Sequence, residues 1–242
     1  MNSLYFITGT DTGAGKTVLT ALLTRFLRAR GVRVAALKPL CAGGRDDARA
    51  LHAALEGVLT LDEINPWHFR APVAPALAAQ REKKLVTRHA VTRHLRTVQK
   101  KFEITLVEGA GGLMSPLGKN FDSRDLISEL RAVPIIVAQN KLGAVNHVLL
   151  TLEALPENLR KKTKVVLMSP ARPDAASRSN AALLGQFFPP KKIVTLPWLG
   201  KGFSPEAVLQ KPTLRRTLEK IIGGARVCDP QQLHHSQRAR MK

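Results

Sequence analysis

Cysteine is almost absent from this sequence: Cys41 and Cys228 are its two examples in 242 residues, and they lie far apart. A disulfide framework and a CxxC metal or redox site are therefore excluded. Long apolar runs are also missing, since no stretch approaches the ~18–20 apolar residues that span a bilayer, and no basic segment followed by an apolar run begins the chain. These absences predict a soluble, unexported protein of the reducing cytoplasm, with no membrane partner.

Acidic residues are scarce relative to basic ones. The chain has 18 Asp and Glu against 38 Lys and Arg, a net charge of +20. The stretch 81–101 alone holds eight basic residues and one acidic residue, but it contains no aromatic side chain on which a base would stack. We therefore interpret the charge as a solvated basic surface that attracts anionic ligands such as ATP, and expect nucleic acid not to be a partner.

A glycine-rich segment, GTDTGAGKT at residues 9–17, lies between an apolar run and a helical pattern that begins at Val18. This context is typical of a phosphate-binding loop, in which Lys16 would reach the β- and γ-phosphates and the Thr17 hydroxyl would bind Mg²⁺. The standard spacing places a glycine at the position of Thr10, whereas this chain has it one residue earlier, at Gly9. The segment is thus predicted to be a variant of the loop.

Aromatic residues make up 5% of the chain and hydrophobic residues 44%, which predicts a core of aliphatic side chains rather than a disordered chain. Apolar runs predict buried strands at 4–7, 33–37, 104–107, 134–138, 164–168 and 193–196. Because helical patterns alternate with them, we predict an α/β fold, a three-layer, doubly wound, mainly parallel sheet of the P-loop NTPase type. One domain is expected over residues 1–223, followed by a basic, disordered tail at 224–242.

Two charged residues are expected at the carboxyl edge of this sheet, where open α/β folds bind ligands. Lys38 follows the second strand and is either solvated or functional. Glu108 follows the strand at 104–107 and is either a second Mg²⁺ anchor or a structural carboxylate bound to neighbouring N–H groups. Elsewhere, 64–75 is predicted to be an irregular loop or lid because it holds three prolines, and 81–101 a surface helix.

Together these motifs resemble the dethiobiotin synthetases, ATP-dependent enzymes that close the ureido ring of dethiobiotin in biotin synthesis. The resemblance covers less than half of the chain, but its motifs occur in register from residue 9 to residue 199. They are GTDTGAGKT, Lys38-Pro39, Asp47 in DARAL, 65–72, VEGAGG at 107–112 with Pro116-Leu117, KLGAVNHVLLT at 141–151, and PWL at 197–199.

The resemblance implies a reaction and a set of roles. 7,8-Diaminopelargonate and CO₂ form a carbamate, ATP phosphorylates it, and the second amine attacks the mixed anhydride. The resemblance assigns catalytic roles to Thr12, Lys16 and Lys38. It assigns the binding of Mg²⁺ to Thr17, Asp47 and Glu108. Nucleotide contacts fall on Gly13, Ala14, Gly15, Lys16, Thr17, Val18, Asp47, Glu108, Gly109, Ala110, Gly111, Pro197, Trp198 and Leu199. Substrate contacts fall on Thr12, Lys38 and Ala42 and, from the partner in an expected homodimer, Leu142, Gly143 and Asn146.

Three positions depart from the family pattern. Gly13 stands where the family often has Glu, and Ala42 stands where it has a serine hydroxyl. The family's adenine-reading Asn-Asp pair falls on Met168-Ser169, and a methionine cannot supply the amide's paired donor and acceptor, so relaxed base specificity is expected.

One other function class is compatible with the loop and the charge: a nucleotide-dependent switch of the partition or septum-site type, which binds DNA or a membrane. Those ATPases carry a signature Lys five residues before the invariant Lys, where this chain has Asp11. The loop therefore favours the synthetase.

Overall fold

Parallel strands form both sheets of the protein. The computed structural model describes residues 2–203 and 209–223, so the prediction for the tail at 224–242 falls outside the described residues. Within that part of the chain, one sheet has six strands and a second sheet has two. The strands are β1 Ser3–Gly9, β2 Val34–Leu37, β3 Leu40–Ala42, β4 Trp67–Phe69, β5 Ile104–Gly112, β6 Val133–Gln139, β7 Lys164–Met168 and β8 Ile193–Leu196.

The large sheet has the strand order β2-β5-β1-β6-β7-β8, and every neighbouring pair is parallel. Its strands are continuous apolar runs buried almost throughout, as expected when helices cover both faces of a sheet. β1 lies between β5 and β6, so the loop after β1 emerges between the carboxyl ends of both neighbours. This topology confirms the predicted doubly wound α/β fold.

Helices connect the strands, and they fold because each places an apolar stripe on the sheet. In the first helix, for example, Leu19, Leu22, Leu23, Phe26 and Leu27 are all buried. The helices are α1 Lys16–Arg28, α2 Asp46–Leu55, α3 Leu61–Ile64, α4 Pro75–Arg81, α5 Arg88–Gln99, α6 Ser123–Leu130, α7 Ala144–Glu153, α8 Glu157–Arg160, α9 Ala175–Leu184 and α10 Pro212–Ile222, with a 3-10 turn at Pro190–Lys192. Among the described residues, no helix is long and apolar enough to cross a membrane.

The structure corrects the prediction for 64–75, which is not wholly irregular. Residues Trp67–Phe69 form β4 and pair in parallel with β3. The surrounding prolines mask the strand pattern in the sequence. The buried Asn65 side chain holds the segment in place, because its Nδ2 donates a hydrogen bond to the carbonyl of Lys38 at 2.8 Å. The segment is therefore tied to the chain that follows Lys38.

Two element boundaries also differ from prediction. β5 continues to Gly112 instead of ending at residue 107, because the glycines after Glu108 extend the ladder with β1 past an irregularity in register. The helix predicted over 81–101 is shorter, since α5 begins at Arg88. Thr87 caps it by accepting a hydrogen bond from the backbone N–H of Ala90 at 3.2 Å.

Candidate active site

The loop between β1 and α1 has the geometry of an anion-binding turn. Gly13 and Gly15 have φ of +73° and +96°, a backbone region that L side chains rarely adopt. Gly9 is confined in another way, because a Cβ there would lie 2.8 Å from the carbonyl oxygen of Asp11. Gly15 caps α1 and has no side chain that would occupy the first N–H groups. Those donors and the helix dipole are directed at the loop, which suits a phosphate.

Lys16 lies under this loop and is almost buried. Its Nζ donates to the carbonyl of Asp11 at 2.9 Å. Burial and the nearby Lys38 ammonium lower the pKa of Lys16 to about 8, so a bound phosphate would strengthen its protonation. The next residue, Thr17, donates its hydroxyl hydrogen to Glu108 Oε1 at 2.8 Å.

Lys38 lies at the centre of a charged cluster at the carboxyl ends of β2 and β5. Its Nζ lies 2.7 Å from Glu108 Oε1, 2.8 Å from Asp47 Oδ2 and 3.1 Å from the carbonyl oxygen of Gly109. Burial lowers the pKa of Lys38, but the two carboxylates outweigh burial and leave it raised. Burial likewise opposes ionisation of Asp47, yet Lys38 leaves the pKa of that carboxyl below its ordinary value. The ammonium is thus held in its charged form.

The three predicted metal ligands meet around this ammonium. Oxygen atoms of Thr17 and Glu108 are hydrogen-bonded, and Asp47 joins them through Lys38. Glu108 Oε2 is buried and has no hydrogen-bond partner among the residues that the structure describes, so this oxygen has a free coordination position. A hydroxyl and two carboxylates are oxygen donors of the kind that Mg²⁺ prefers, with phosphate and water completing its shell. The donor set therefore fits the predicted cation.

A cavity of about 760 Å³ opens in front of this cluster. Its wall includes the predicted Thr12, Lys38 and Ala42, and it extends along the loop to Val18. Ala110 and Gly111 line it, whereas Gly109 is buried behind it. The wall also contains residues to which sequence analysis gave no role at the site, namely Cys41, Gly43, Gly44, Asp46, Ser115 and the segment 72–75.

Two of the missed residues have clear physical roles. Burial raises the pKa of Cys41 to about 11, so this thiol is protonated and is unsuited to act as a nucleophile. Ser115 Oγ accepts a hydrogen bond from the backbone N–H of Gly112 at 2.9 Å and closes the turn after β5. Cys41 lies between Lys38-Pro39 and Ala42, and Ser115 precedes Pro116-Leu117, but neither is part of those motifs. Their place in the cavity wall depends on tertiary folding.

A second cavity, of about 460 Å³, continues from the other side of the loop. Its lining includes seven of the residues predicted to contact the nucleotide, namely Gly13, Ala14, Gly15, Val18, Pro197, Trp198 and Leu199. Its remaining wall is formed by 139–141, 168–170, Gly200, Gly202 and Phe203. The wall is mostly apolar, which suits the faces of a nucleobase bound beside its phosphates.

The structure leaves one predicted group apart from both cavities. Leu142, Gly143 and Asn146 lie at the start of α7, and Leu142 is 82% exposed. None of the three lines either cavity described above. Within a single chain they are therefore not brought to the site.

Comparisons with known proteins agree with this geometry. A family described as an AAA domain matches residues 3–205. An ATP-dependent dethiobiotin synthetase from Thermodesulfovibrio yellowstonii is 36% identical over 217 residues, covering 83% of this chain and 88% of that protein. A protein of the same description from Anaeromyxobacter is 40% identical over 176 residues, covering 71% and 79% respectively. The chain belongs to the dethiobiotin synthetase family. The predicted resemblance is therefore confirmed.

Solved structures of other proteins share the fold of this dethiobiotin synthetase family member. A ParA described as bound to nonspecific DNA superposes with a TM-score of 0.55 and 13% identity, covering 92% of this chain and 98% of the other. A ParA family ATPase from Chlorobium tepidum TLS gives 0.54 and 13%, covering 90% and 96%. Identity this low shows a common fold and nothing about function.

The departures from the synthetase pattern lie at both cavities. Ala42, at the end of β3, contributes a methyl group to the first cavity where the family has a hydroxyl. Met168, at the end of β7, packs against the phosphate loop, because a Cβ added to Gly15 would lie 3.0 Å from Met168 Cε. Met168 therefore gives the second cavity an apolar side chain at the position where the family pattern has asparagine.

Proposed function

We propose that this protein catalyses ATP-dependent closure of the ureido ring from 7,8-diaminopelargonate and CO₂, giving dethiobiotin. The observation that carries the proposal is the Lys38 cluster. It lies in the wall of a cavity that reaches, along the phosphate loop, to a second cavity suited to a nucleobase. Family membership supplies the substrate class, and ATP and Mg²⁺ follow from the loop and its oxygen ligands. A cytoplasmic location is part of the proposal, since ATP is available there.

The chemistry needs positioned charges rather than a protein nucleophile. One amine of the substrate adds to CO₂ and loses a proton, giving a carbamate. A carbamate oxygen takes the γ-phosphoryl group of ATP, and ADP leaves. The second amine then attacks the carbamoyl carbon and gives up a proton to the departing phosphate as the bond between that carbon and the phosphate oxygen breaks. Inorganic phosphate and the ring are released.

The residues of the cavity divide this work. Lys16 neutralises the β- and γ-phosphates, and Lys38 stabilises the carbamate and the charge that develops during transfer. Thr17, Asp47 and Glu108 would hold Mg²⁺, which when bound supplies positive charge at the phosphate oxygens. Thr12 orients the substrate from the loop that faces Lys38.

Lys38 must change partners to take this role. Its three N–H groups already point to Glu108, Asp47 and the Gly109 carbonyl. Glu108 is fully buried, whereas the Asp47 side chain is 47% exposed, so Asp47 is the partner most easily replaced by a substrate oxygen. We infer that Lys38 keeps its bond to Glu108 and exchanges Asp47 for the carbamate.

A homodimer would complete the site. Leu142 precedes the Gly143 cap of α7 and is 82% exposed, and Leu150 lies along the helix and is 62% exposed. Two exposed leucines near Gly143 and Asn146 are suited to packing against a second copy, which would bring Gly143 and Asn146 to the partner's substrate.

Hybrid dimers test this arrangement. Inactive K38M and N146A chains, mixed and allowed to exchange, would place both changes in one site and leave the other site intact. We expect about a quarter of the wild-type activity after mixing, because half of the dimers are hybrids with one intact site each. No recovery, together with a monomeric mass by analytical ultracentrifugation, would exclude the shared site without affecting the proposed reaction.

The synthetase assay itself uses purified protein, diaminopelargonate, bicarbonate, Mg²⁺ and ATP. We expect dethiobiotin, ADP and phosphate in equal amounts. ATP hydrolysis with no ring-closed product would reject the proposal.

The net charge of +20 favours one second candidate, a nucleotide switch that binds DNA. Asp11 in place of a signature Lys opposes it. Gel shifts with and without ATP decide between them: we expect binding that disappears by about 200 mM salt regardless of nucleotide, as for counterion release alone. ATP-dependent binding at that salt would favour the switch.

A further inference from the structure

The wall of the second cavity has Met168 where the family pattern has a polar side chain, and it also contains a carboxamide, Gln139. Met168 ends β7, and its register partner on the neighbouring strand is Gln139, which ends β6. Both residues line the cavity. A carboxamide therefore lies one strand away from the position where the family pattern places its adenine-reading amide.

We propose that Gln139 is the residue through which this protein recognises the nucleobase. Its carboxamide supplies the donor and acceptor that Met168 lacks. It selects adenine and cytosine, whose Watson–Crick edge pairs an amino group with an accepting ring nitrogen, over guanine and uracil, whose edge pairs a carbonyl oxygen with a ring N–H. The inference rests on the proposed function, because it assigns the second cavity to the base of the nucleotide substrate.

The orientation of the Gln139 amide follows from its hydrogen bond to the phosphate loop. Nε2 lies 2.9 Å from the carbonyl oxygen of Gly13 in the phosphate loop. A carbonyl only accepts hydrogen bonds, so the amide must turn its NH₂ group to Gly13 and its oxygen away. Among the described residues, no protein hydrogen bond is recorded for Oε1, and one N–H of Nε2 also remains free. The side chain thus presents an acceptor beside a donor.

This pair matches some bases and not others. Adenine and cytosine each present an amino group next to a ring nitrogen that accepts, which is the complement of the Gln139 oxygen and its free N–H. Guanine and uracil present a carbonyl oxygen and a ring N–H at the corresponding edge. To bind them the amide would have to flip, which would turn its oxygen to the Gly13 carbonyl and break that bond. The anchor on Gly13 therefore carries the selectivity.

Other polar side chains of the cavity are less suited to this role. Asn140 is buried and already satisfied, because its Nδ2 donates to the Ser177 carbonyl at 2.8 Å and its Oδ1 accepts from Asn180 Nδ2 at 2.9 Å. Ser169 offers a single hydroxyl, and Lys141 only donates. Within the described wall, Gln139 is the carboxamide that is exposed to the cavity.

Nucleotide binding, measured without turnover, tests the proposal. Dissociation constants for ATP, CTP, GTP and UTP with Mg²⁺ are determined calorimetrically for the wild type, for Q139L and for the control Q80L, an exposed glutamine outside the cavity. We expect the wild type to bind ATP and CTP at least ~10-fold more tightly than GTP and UTP. Q139L should weaken ATP and CTP by ~10-fold and leave GTP and UTP within about twofold, while Q80L changes none of the four.

Several outcomes would overturn the inference. Equal binding of all four nucleotides by the wild type would show that the base is not read. An equal loss of all four in Q139L would show that Gln139 only supports the phosphate loop, and unchanged affinities would show that it does neither. Thermal melts establish that Q139L is folded. If the wild type makes dethiobiotin but any of these results is found, Gln139 is rejected and the proposed function stands; if it binds no nucleotide, both are rejected.

Discussion

Replacing Lys38 with methionine removes the ammonium between Asp47 and Glu108 and preserves most of the side-chain volume. The Glu108 side chain is fully buried, and Lys38 is its nearest cation at 2.7 Å. Removing one member of a buried ion pair leaves the other charge uncompensated, which typically costs ~3–5 kcal/mol. Asp47 adds little to this figure, because its side chain is 47% exposed and water screens it.

This cost is large enough to measure by melting. For a chain of this size each kcal/mol shifts Tm by ~2–4 °C, so K38M should melt roughly 6–20 °C below the wild type. The matched control is K119M, since Lys119 is exposed and forms no ion pair with any other described residue. Its Tm should stay within about 2 °C of the wild type, as expected for a surface substitution.

Divalent cation provides the second arm of this experiment. If Thr17, Asp47 and Glu108 hold Mg²⁺, the ion replaces the missing positive charge in K38M, so ~10 mM Mg²⁺ should raise the Tm of K38M more than that of the wild type. A K38M melt within about 2 °C of the wild type would refute the energetic argument. An equal response of both proteins to Mg²⁺ would refute the ligand assignment.

Three further predictions concern neighbouring residues. Lys38 holds the pKa of Asp47 below its ordinary value, so the stabilisation by ionised Asp47 is present above about pH 4 and is lost as pH falls through that lowered pKa. D47N should therefore make the free energy of unfolding depend less steeply on pH in this range, as followed by circular dichroism. An unchanged slope would contradict the pairing. G15A places a methyl group at a residue with φ of +96° and against Met168, so it should lower the free energy of unfolding measured in urea by ~1–3 kcal/mol. It should also weaken ATP binding at least ~10-fold. Wild-type affinity would exclude the loop from phosphate binding. Because the pKa of Lys16 is lowered to about 8, the ATP affinity of the wild type, measured calorimetrically, should fall as pH rises from 8 to 9.5. If K16R binds ATP, its affinity should not change over this pH range. A wild-type affinity independent of pH would contradict the contact between charged Lys16 and the phosphates.

Short, uninterrupted apolar runs and the glycine loop made the sheet predictable from sequence. Parallel strands buried on both faces contain little besides aliphatic residues, so their positions and type are visible locally. Lys38 and Glu108 were found for the same reason, as each follows such a run. Their contact was not predictable, because it requires β2 and β5 to be neighbours with Leu37 opposite Val107, and strand order is a property of the whole fold.

The features that sequence analysis missed depend on contacts between distant segments. β4 forms because the Asn65 side chain holds it beside β3, and the prolines around it mask any alternation. Gln139 ends a buried apolar run, much as Glu108 follows one. This position at a strand end was the local feature in the sequence that pointed to Gln139 as a functional residue. Its significance appears only when β6 and β7 are in register, which places it opposite Met168.

The fate of oxygen from CO₂ tests the central claim most directly. Protein is incubated with diaminopelargonate, Mg²⁺, ATP and ¹⁸O-labelled CO₂, and the inorganic phosphate is analysed by mass spectrometry before the label exchanges with water. If a carbamate oxygen takes the phosphoryl group and leaves with it during ring closure, each phosphate formed carries one ¹⁸O and one dethiobiotin accompanies it. Unlabelled phosphate would show that water is the acceptor, which would make the protein an ATPase and contradict the account.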